Sequence, residues 1–216
     1  MRIIAPPGVF RPRSDSWMLT EVLREELRPG DSVLDLCTGS GAVAIAAALA
    51  GAGRVTAVDL SRRAVAAARI NARLNGTGLR AVRGSLFEPV GAERFDLIVA
   101  NPPYVPAEEV EPPRGAARGW DAGPDGRELL DPLLAEAPAH LTVGGAVLVV
   151  HSSITGEEAT LAALRRAGLE PEVLRRDRSP LGPLHSARAE TLVRRGLLEA
   201  GQRVEDVLVI RGRARR

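Results

Sequence analysis

Val33-Leu34-Asp35-Leu36-Cys37-Thr38-Gly39-Ser40-Gly41 is the stretch on which the reading of this chain turns. An apolar run carrying one carboxylate ends in a turn with two glycines, and the turn opens directly into the alanine-rich run Gly41–Ala50. Glycine has no Cβ, takes positive φ without strain and lets the backbone lie close to a bound molecule, while the helix that follows offers unpaired N–H groups. The segment therefore reads as strand, ligand-facing turn and helix, the opening unit of a parallel α/β sheet.

Outward from this unit the pattern repeats. Ser32–Leu36, Arg54–Asp59, Leu79–Val82, Phe95–Ala100 and Ala146–Val150 read as buried strands, separated by helices over Gly41–Ala50, Ser61–Asn75, Arg127–His140 and Glu157–Ala167, with Ser61 as an N-cap. Glu170–Arg175 and Val204–Arg211 add two strands around a helix over Ala187–Ala200, which makes seven strands. A chain of 216 residues is enough for one core and short for two, so a single domain over 1–216 is expected, with 1–30 as a covering segment ahead of a sheet-and-helix core over 31–216. Pro102–Gly126 is the stretch richest in proline and glycine. Connections of that length inside a compact domain are usually functional, so it reads as a substrate-covering loop in preference to a plain surface loop.

Composition removes several classes. The longest apolar run, Ala42–Ala50, is far below the roughly 20 residues that span a bilayer, and no charged-then-apolar leader precedes it, so a cytoplasmic protein with no membrane partner is expected. Cys37 is the only cysteine, which excludes an internal disulfide and a thiolate metal cluster, and no metal is expected. Lysine is absent, which excludes Schiff-base and P-loop chemistry, since both need its amine. A net charge of +2 does not by itself argue for nucleic acid, and the arginines after Arg165 and in the Arg211–Arg216 tail read as solvated charge. His140, His151 and His185 have no ligand spacing and receive no role.

A second carboxylate, Asp59, ends the second strand, where it can accept two hydrogen bonds from a vicinal ribose diol. The run Gly39–Ala44 also fits the dinucleotide fingerprint G-x-G-x-x-A. Asp35, however, stands four residues before Gly39. A carboxylate there repels a pyrophosphate and tolerates the ammonium and sulfonium of S-adenosylmethionine. Asp35, Cys37, Thr38, Gly39, Gly41, Asp59 and Leu60 are thus the candidate cofactor residues, with Cys37 a packed side chain and not a nucleophile. After the third strand, Gly84-Ser85-Leu86-Phe87 could place an adenine ring on Leu86 with its amino group facing Ser85; Leu86 and Phe87 fit the core equally well.

The most specific signal is Asn101-Pro102-Pro103-Tyr104, at the carboxyl end of the strand Phe95–Ala100, beside the crevice where open α/β sheets bind ligands. A planar NH₂ has two hydrogens to satisfy. The Asn101 side-chain carbonyl can take one and the Pro102 main-chain carbonyl the other, while the fixed φ of proline holds the second acceptor and Tyr104 stacks on the flat group. Two acceptors that orient a delocalised nitrogen and favour the charge it develops make Asn101, Pro102 and Tyr104 the candidate catalytic set for amino-group methylation.

With these motifs in place, the chain resembles the HemK-like protein-(glutamine-N5) methyltransferases, which modify a glutamine of peptide-chain release factors. Val9-Phe10-Arg11-Pro12-Arg13-Ser14-Asp15-Ser16 is similar to the family's segment that closes over the cofactor, and Trp120–Arg127 to its Gly/Asp-rich stretch before the next helix. The resemblance implies a single Rossmann-like class I methyltransferase domain, a seven-stranded mostly parallel sheet with helices on both faces and an antiparallel last strand. It also implies S-adenosylmethionine as cofactor, with Asp15 and Asn101 added to the cofactor contacts, and a release factor as protein substrate. Because the sequence enters the cofactor segment almost at once, no helical docking domain like that of the bacterial enzymes is expected, and the size resembles that of the eukaryotic and archaeal branch, whose members work with a small zinc-binding activator subunit. Cys37 replaces a frequent glycine, and Ser85 stands where the family often has an acid.

Two other readings use the same residues. A nucleic-acid amino-group methyltransferase would use the tetrad with Arg175–Arg188 holding phosphates, against which stand the modest charge and the lack of a visible recognition domain. A small-molecule methyltransferase or an inactive cofactor-binding partner is the third; Asn101 and Tyr104 argue against inactivity.

Overall fold

The computed structural model describes residues 1–107 and 119–215. Seven strands form one sheet: β1 (Ser32–Leu36), β2 (Arg54–Asp59), β3 (Arg80–Arg83), β4 (Phe95–Ala100), β5 (Leu141–Ser152), β6 (Glu170–Pro180) and β7 (Val204–Arg213), in spatial order β3-β2-β1-β4-β5-β7-β6. β1 to β5 run parallel, and β7 pairs antiparallel with both β5 and β6, so the last strand alone is reversed. The seven-stranded, mostly parallel sheet expected from the sequence is the one observed.

Strand order reverses at β1. The chain moves outward from β1 to β2 and β3, then crosses to β4 on the other side, and a crevice opens at such a point beyond the strand ends. Register fixes what meets there: Leu36 pairs with Val58 on one side and Ala100 on the other. The residues that follow these three ends are Cys37, Asp59 and Asn101, so pairing alone brings the glycine turn, the second carboxylate and the tetrad to one place.

Helices cover both faces. On one, α1 (Ser14–Glu26), α2 (Ala42–Leu49) and α3 (Arg62–Leu74) bury Leu19, Leu23, Ala44 and Ala68 against Val33, Leu97 and Val99; on the other, α4 (Leu130–Glu136) and α5 (Glu157–Arg166) bury Leu130, Leu134 and Leu164 against Leu34, Leu36 and Ile98. Strand side chains alternate between faces, so Asp35 shares the side of Val33 and points toward α2. Ser61 caps α3 as expected, its hydroxyl accepting from Ala64 N–H at 3.4 Å.

Several elements differ from the expectation. α1 lies inside what reads as an undivided covering segment; its signal is the i, i+3, i+4 set Leu19, Val22, Leu23, all fully buried, and a polar first turn hides it. The helix expected over Arg127–His140 starts only at Leu130 and tightens to a 3-10 turn over Ala137–His140, where Pro138 removes a donor. Ala187–Ala200 is not one helix; α6 (Pro183–Ala187) and α7 (Ala189–Arg194) replace it. β6 and β7 extend past their apolar runs because they pair as a ribbon from Glu170↔Arg213 to Pro180↔Val204, and arginines on this edge obscure the strand pattern. Two of these arginines are engaged: Arg175 pairs with Glu21 and Glu25, and Arg176 with Glu157 and Asp206. The middle of the long loop, 108–118, lies outside the described residues, as does the final arginine of the tail. The loop's flanks pair through Val105 N–H to Trp120 O and Ala107 N–H to Gly123 O.

His151 on β5 is fully buried, with Nδ1 2.8 Å from Ser152 O and no hydrogen-bond partner for Nε2 among the described residues. Burial first, and then the Arg127 charge, hold its pKa down to about 4, partly offset by the Ser152 carbonyl. The folded-state value lies below the unfolded one, so the neutral ring's contribution is fully present above about pH 6.5 and is lost as pH falls toward 4. Urea unfolding at pH 7.5 and pH 4.5 should show a loss on the order of 2–3 kcal/mol from this group, and His151→Leu should flatten that part of the profile. Equal slopes in the two proteins would show that this ring does not titrate with unfolding.

Candidate active site

The turn after β1 is held from both sides. Asp35 Oδ2 accepts from the Thr38 hydroxyl at 2.5 Å and from Ala44 N–H at 3.1 Å, in the first turn of α2. With 1% of its surface exposed, Asp35 braces the turn from within. Burial pushes its pKa up to about 7, opposed by the Thr38 and Ala44 bonds and reinforced by the Asp59 charge. Asp59 accepts from Gly39 N–H at 2.8 Å through one oxygen and from Ser61 N–H at 2.9 Å through the other, and its pKa is raised because burial outweighs these two bonds.

Left-handed backbone is concentrated here. Cys37 (φ 57°), Gly39 (φ 53°) and Gly41 (φ 82°) lie in one turn, and Leu86 (φ 44°) follows β3. A Cβ on Gly41 would fall 2.8 Å from the Ala68 Cβ, so glycine also lets α2 start against α3. Strained non-glycine residues tend to mark ligand sites, and these two flank the Asp59 carboxylate in sequence order of the strands. Burial, with the Asp59 and Asp35 charges, pushes the Cys37 thiol pKa up, which removes it as a nucleophile at neutral pH.

A nucleoside cofactor with a ribose diol fits this donor set. Each Asp59 oxygen carries one N–H and retains a lone pair for a hydroxyl. Leu60 is 57% exposed and Leu86 partly so, which leaves apolar surface beside the carboxylate. Phe87 belongs to the core: it is buried and stacks on His140 with ring centroids 4.4 Å apart, while Leu86 is half-buried and packs partly against the same core. Ser85 is exposed, and its N–H donates to Glu88 Oε2 at 3.3 Å, so an acid the sequence reading passed over stands beside it.

On the other side of the crevice, Asn101 Nδ2 donates to Ser16 Oγ at 3.1 Å. That hydroxyl also accepts from Arg13 N–H at 3.3 Å and donates to Asp15 Oδ1 at 3.1 Å. A hydroxyl has one proton and two lone pairs, so Ser16 is fully used. Its proton goes to an acceptor-only carboxylate, which forces Asn101 to present its NH₂ to Ser16 and leaves the amide oxygen turned from it. Neither Asn101 Oδ1 nor the Pro102 carbonyl has a side-chain or loop hydrogen-bond partner among the described residues.

Tyr104 is tied at both ends. Its hydroxyl donates to Asp15 Oδ2 at 2.9 Å, and its main-chain carbonyl accepts from the Thr155 hydroxyl at 2.9 Å. Burial and then the Asp15 charge hold the phenol pKa well above its ordinary value, so it stays a donor. Gly126 backs onto the same carbonyl so closely that a Cβ there would lie 2.3 Å from the oxygen. Arg127 fixes the Thr155 main chain, Nη1 to Thr155 O at 2.9 Å, and is itself paired with Asp131 at 2.6 Å. Asp15, expected beside the cofactor, thus spends both oxygens on Ser16 and Tyr104. Ser16, Thr155 and Trp120 carry no single-residue signature in sequence; of these only Ser16 and Trp120 fall inside stretches that the resemblance singles out. A cleft of about 290 Å³ results, walled by Phe10, Asn101, Pro102, Tyr104, Trp120 and Leu184.

Residues 1–115 match the model of the methyltransferase small domain family. A putative protein N5-glutamine methyltransferase of Methanocaldococcus jannaschii is 36% identical over 179 residues, which cover 82% of this chain and 89% of that protein. The release factor glutamine methyltransferase of Bordetella pertussis is 39% identical over 79% of this chain, and the alignment spans 66% of its own length. Among solved structures, the Mtq2-Trm112 complex of E. cuniculi, described as responsible for methylation of the eRF1 termination factor, superposes with a TM-score of 0.66 at 25% identity, covering 96% of this chain and 99% of the matched one.

The left-handed backbone at Cys37 gives a direct test of the turn. A β-branched side chain is strained there, so Cys37→Val should lower stability by about 1–3 kcal/mol, while Cys37→Gly should stay within about 1 kcal/mol of the parent. Chemical denaturation measures both; a harmless valine would mean that the turn takes another conformation.

Proposed function

Because the chain belongs to the protein N5-glutamine methyltransferase family, on the small-domain methyltransferase fold, we propose that it methylates the side-chain amide nitrogen of a glutamine in a protein acceptor, a release factor foremost. It is an S-adenosylmethionine-dependent methyltransferase. The observation that carries the reading is the Asn101 amide oxygen, left without a partner among the described residues by the saturated Ser16 hydroxyl, beside a Pro102 carbonyl that is likewise without one among them.

Two acceptors at neighbouring positions match the two hydrogens of a planar NH₂, and gripping both orients the nitrogen toward the crevice and favours the positive charge it develops as the methyl is transferred. S-adenosylmethionine, when bound, supplies a methyl carbon activated by a sulfonium. In this reading Asp59 takes the ribose hydroxyls, Leu86 an adenine face, and the turn Cys37–Gly41 the remainder, with Asp35 bracing that turn. Tyr104, anchored by Asp15 and Thr155, keeps its ring against the flat acceptor. No base is required before transfer, because the amide proton becomes acidic only once the nitrogen carries the extra methyl, and water can then remove it.

The chain as a whole, 1–216, acts as one domain in this reading. A small partner subunit belongs to it as well, since the E. cuniculi relative is solved as a two-protein complex. No helix among the described residues is long and apolar enough to cross a membrane. Against the nucleic-acid reading, Arg175, Arg176 and Arg188 of the segment assigned to phosphates are each paired with a carboxylate.

Asn101→Ala should leave cofactor affinity within about twofold by calorimetry and lower turnover by roughly 10² to 10³, the scale of one lost oriented polar contact. Asp59→Ala should do the reverse in kind, weakening cofactor binding by about tenfold or more. Incubation with methyl-labelled cofactor and a release factor, followed by mass spectrometry, should place the label on a glutamine; label on RNA or DNA instead would replace this acceptor with a nucleobase.

A further inference from the structure

Between β6 and β7 the chain leaves the sheet at Pro180 and returns at Val204, although these residues pair directly and a two-residue turn would join them. The excursion 181–203 carries α6 and α7, and nothing in the sheet requires it. Because β6 runs parallel to β5, its end lies on the sheet edge that holds the crevice.

The excursion is docked at both ends. At its foot, the buried Glu205 carboxylate accepts from Gly182 N–H at 2.6 Å, lies 3.0 Å from His185 Nδ1 and takes the Ser152 hydroxyl. Ile154, Leu192 and Leu198 form a small apolar cluster under it. At its head, Arg188 Nη1 donates to Pro106 O at 2.8 Å and to Asp121 Oδ1 at 2.5 Å, while Arg195 Nη1 donates to Ala107 O at 2.5 Å and Pro124 O at 3.1 Å. Two guanidiniums thus grip both flanks of the loop that follows the tetrad. Between foot and head, Leu184 lines the cleft together with Phe10 and Trp120.

We infer that the excursion 181–203 is the acceptor-side wall of the cleft, with Leu184 limiting the breadth of the segment that carries the reacting nitrogen and Arg188 acting as a positioning residue. This rests on the glutamine reading and deepens it. The wall offers an apolar side chain, and the charge of Arg188 is spent on Asp121, so it suits an uncharged stretch of polypeptide in extended form. Leu184, Phe10 and Trp120 line one cleft of about 290 Å³, and in this inference that space admits small residues next to the glutamine and resists large ones.

The test uses the full chain, labelled cofactor and two synthetic peptides whose glutamine is preceded by glycine or by leucine. The parent should favour the glycine peptide, and Leu184→Ala should shrink that preference by about tenfold, the usual worth of a pocket wall. Arg188→Ala should raise KM for the glycine peptide by about tenfold with kcat and cofactor affinity little changed, and Arg188→Lys should recover most of the loss, because a single nitrogen makes both Arg188 bonds. Unchanged KM and unchanged preference would overturn the wall. If the parent methylates neither peptide, the glutamine reading fails instead, and the wall is judged without any acceptor: in a Trp17→Phe background, Arg188→Ala should make Trp120 fluorescence several-fold more quenchable by acrylamide, with Arg188→Lys restoring protection. Equal quenching in folded parent and variant would overturn the inference by itself.

Discussion

One serine hydroxyl constrains the acceptor side of this molecule. Ser16 Oγ has its proton on Asp15 and both lone pairs filled, by Arg13 N–H and by Asn101 Nδ2. An amide group is nearly symmetric in shape, so packing alone would not choose between its oxygen and its nitrogen, whereas a saturated hydroxyl does. The choice decides function: an asparagine that offered NH₂ to the cleft would repel the hydrogens of an incoming amide. Asp15 extends the same control to Tyr104, so the first turn of α1 sets two of the three catalytic candidates at once.

That turn can do so because the sheet has already gathered the parts. Parallel pairing of β1 with β2 and β4 ends the three strands level with one another, and the residues beyond them become neighbours by register. Strain is spent at the same edge, in the left-handed Cys37 and Leu86, and a buried carboxylate, Asp35, is kept next to the start of α2 despite a pKa pushed up to about 7. Each of these costs stability, and each lies beside the crevice and not in the two apolar layers that hold the sheet together.

The seven strands and the positions of Asp59 and Asn101 at strand ends were legible in sequence, because buried strands announce themselves by apolar runs and both site motifs sit directly behind one. Legibility failed where the signal was not apolar periodicity. α1 opens on Ser-Asp-Ser, and β6, read as ending at Arg175, runs on to Pro180 through an arginine-bearing edge, so neither α1 nor that extension follows the pattern. The Ser16 to Asn101 bond joins residues 85 apart, and Thr155 reaches Tyr104 over 51; such pairs exist only once the chain is folded. Asp35 and Asp59, both expected to touch cofactor, are used differently here. Asp59 retains free lone pairs, while Asp35 is turned inward to the glycine turn, a distinction of face that period-two alternation explains but a motif does not state.

The orientation of the Asn101 amide is therefore the point on which the chemistry depends, and removing the hydroxyl that sets it probes it most directly. In Ser16→Ala the amide loses its anchor while Asn101, Pro102 and Asp59 all remain. Single-turnover methylation at saturating cofactor should slow by about tenfold or more, with cofactor affinity within about twofold of the parent. A rate equal to that of the parent would contradict the claim that Ser16 holds the reactive face of Asn101.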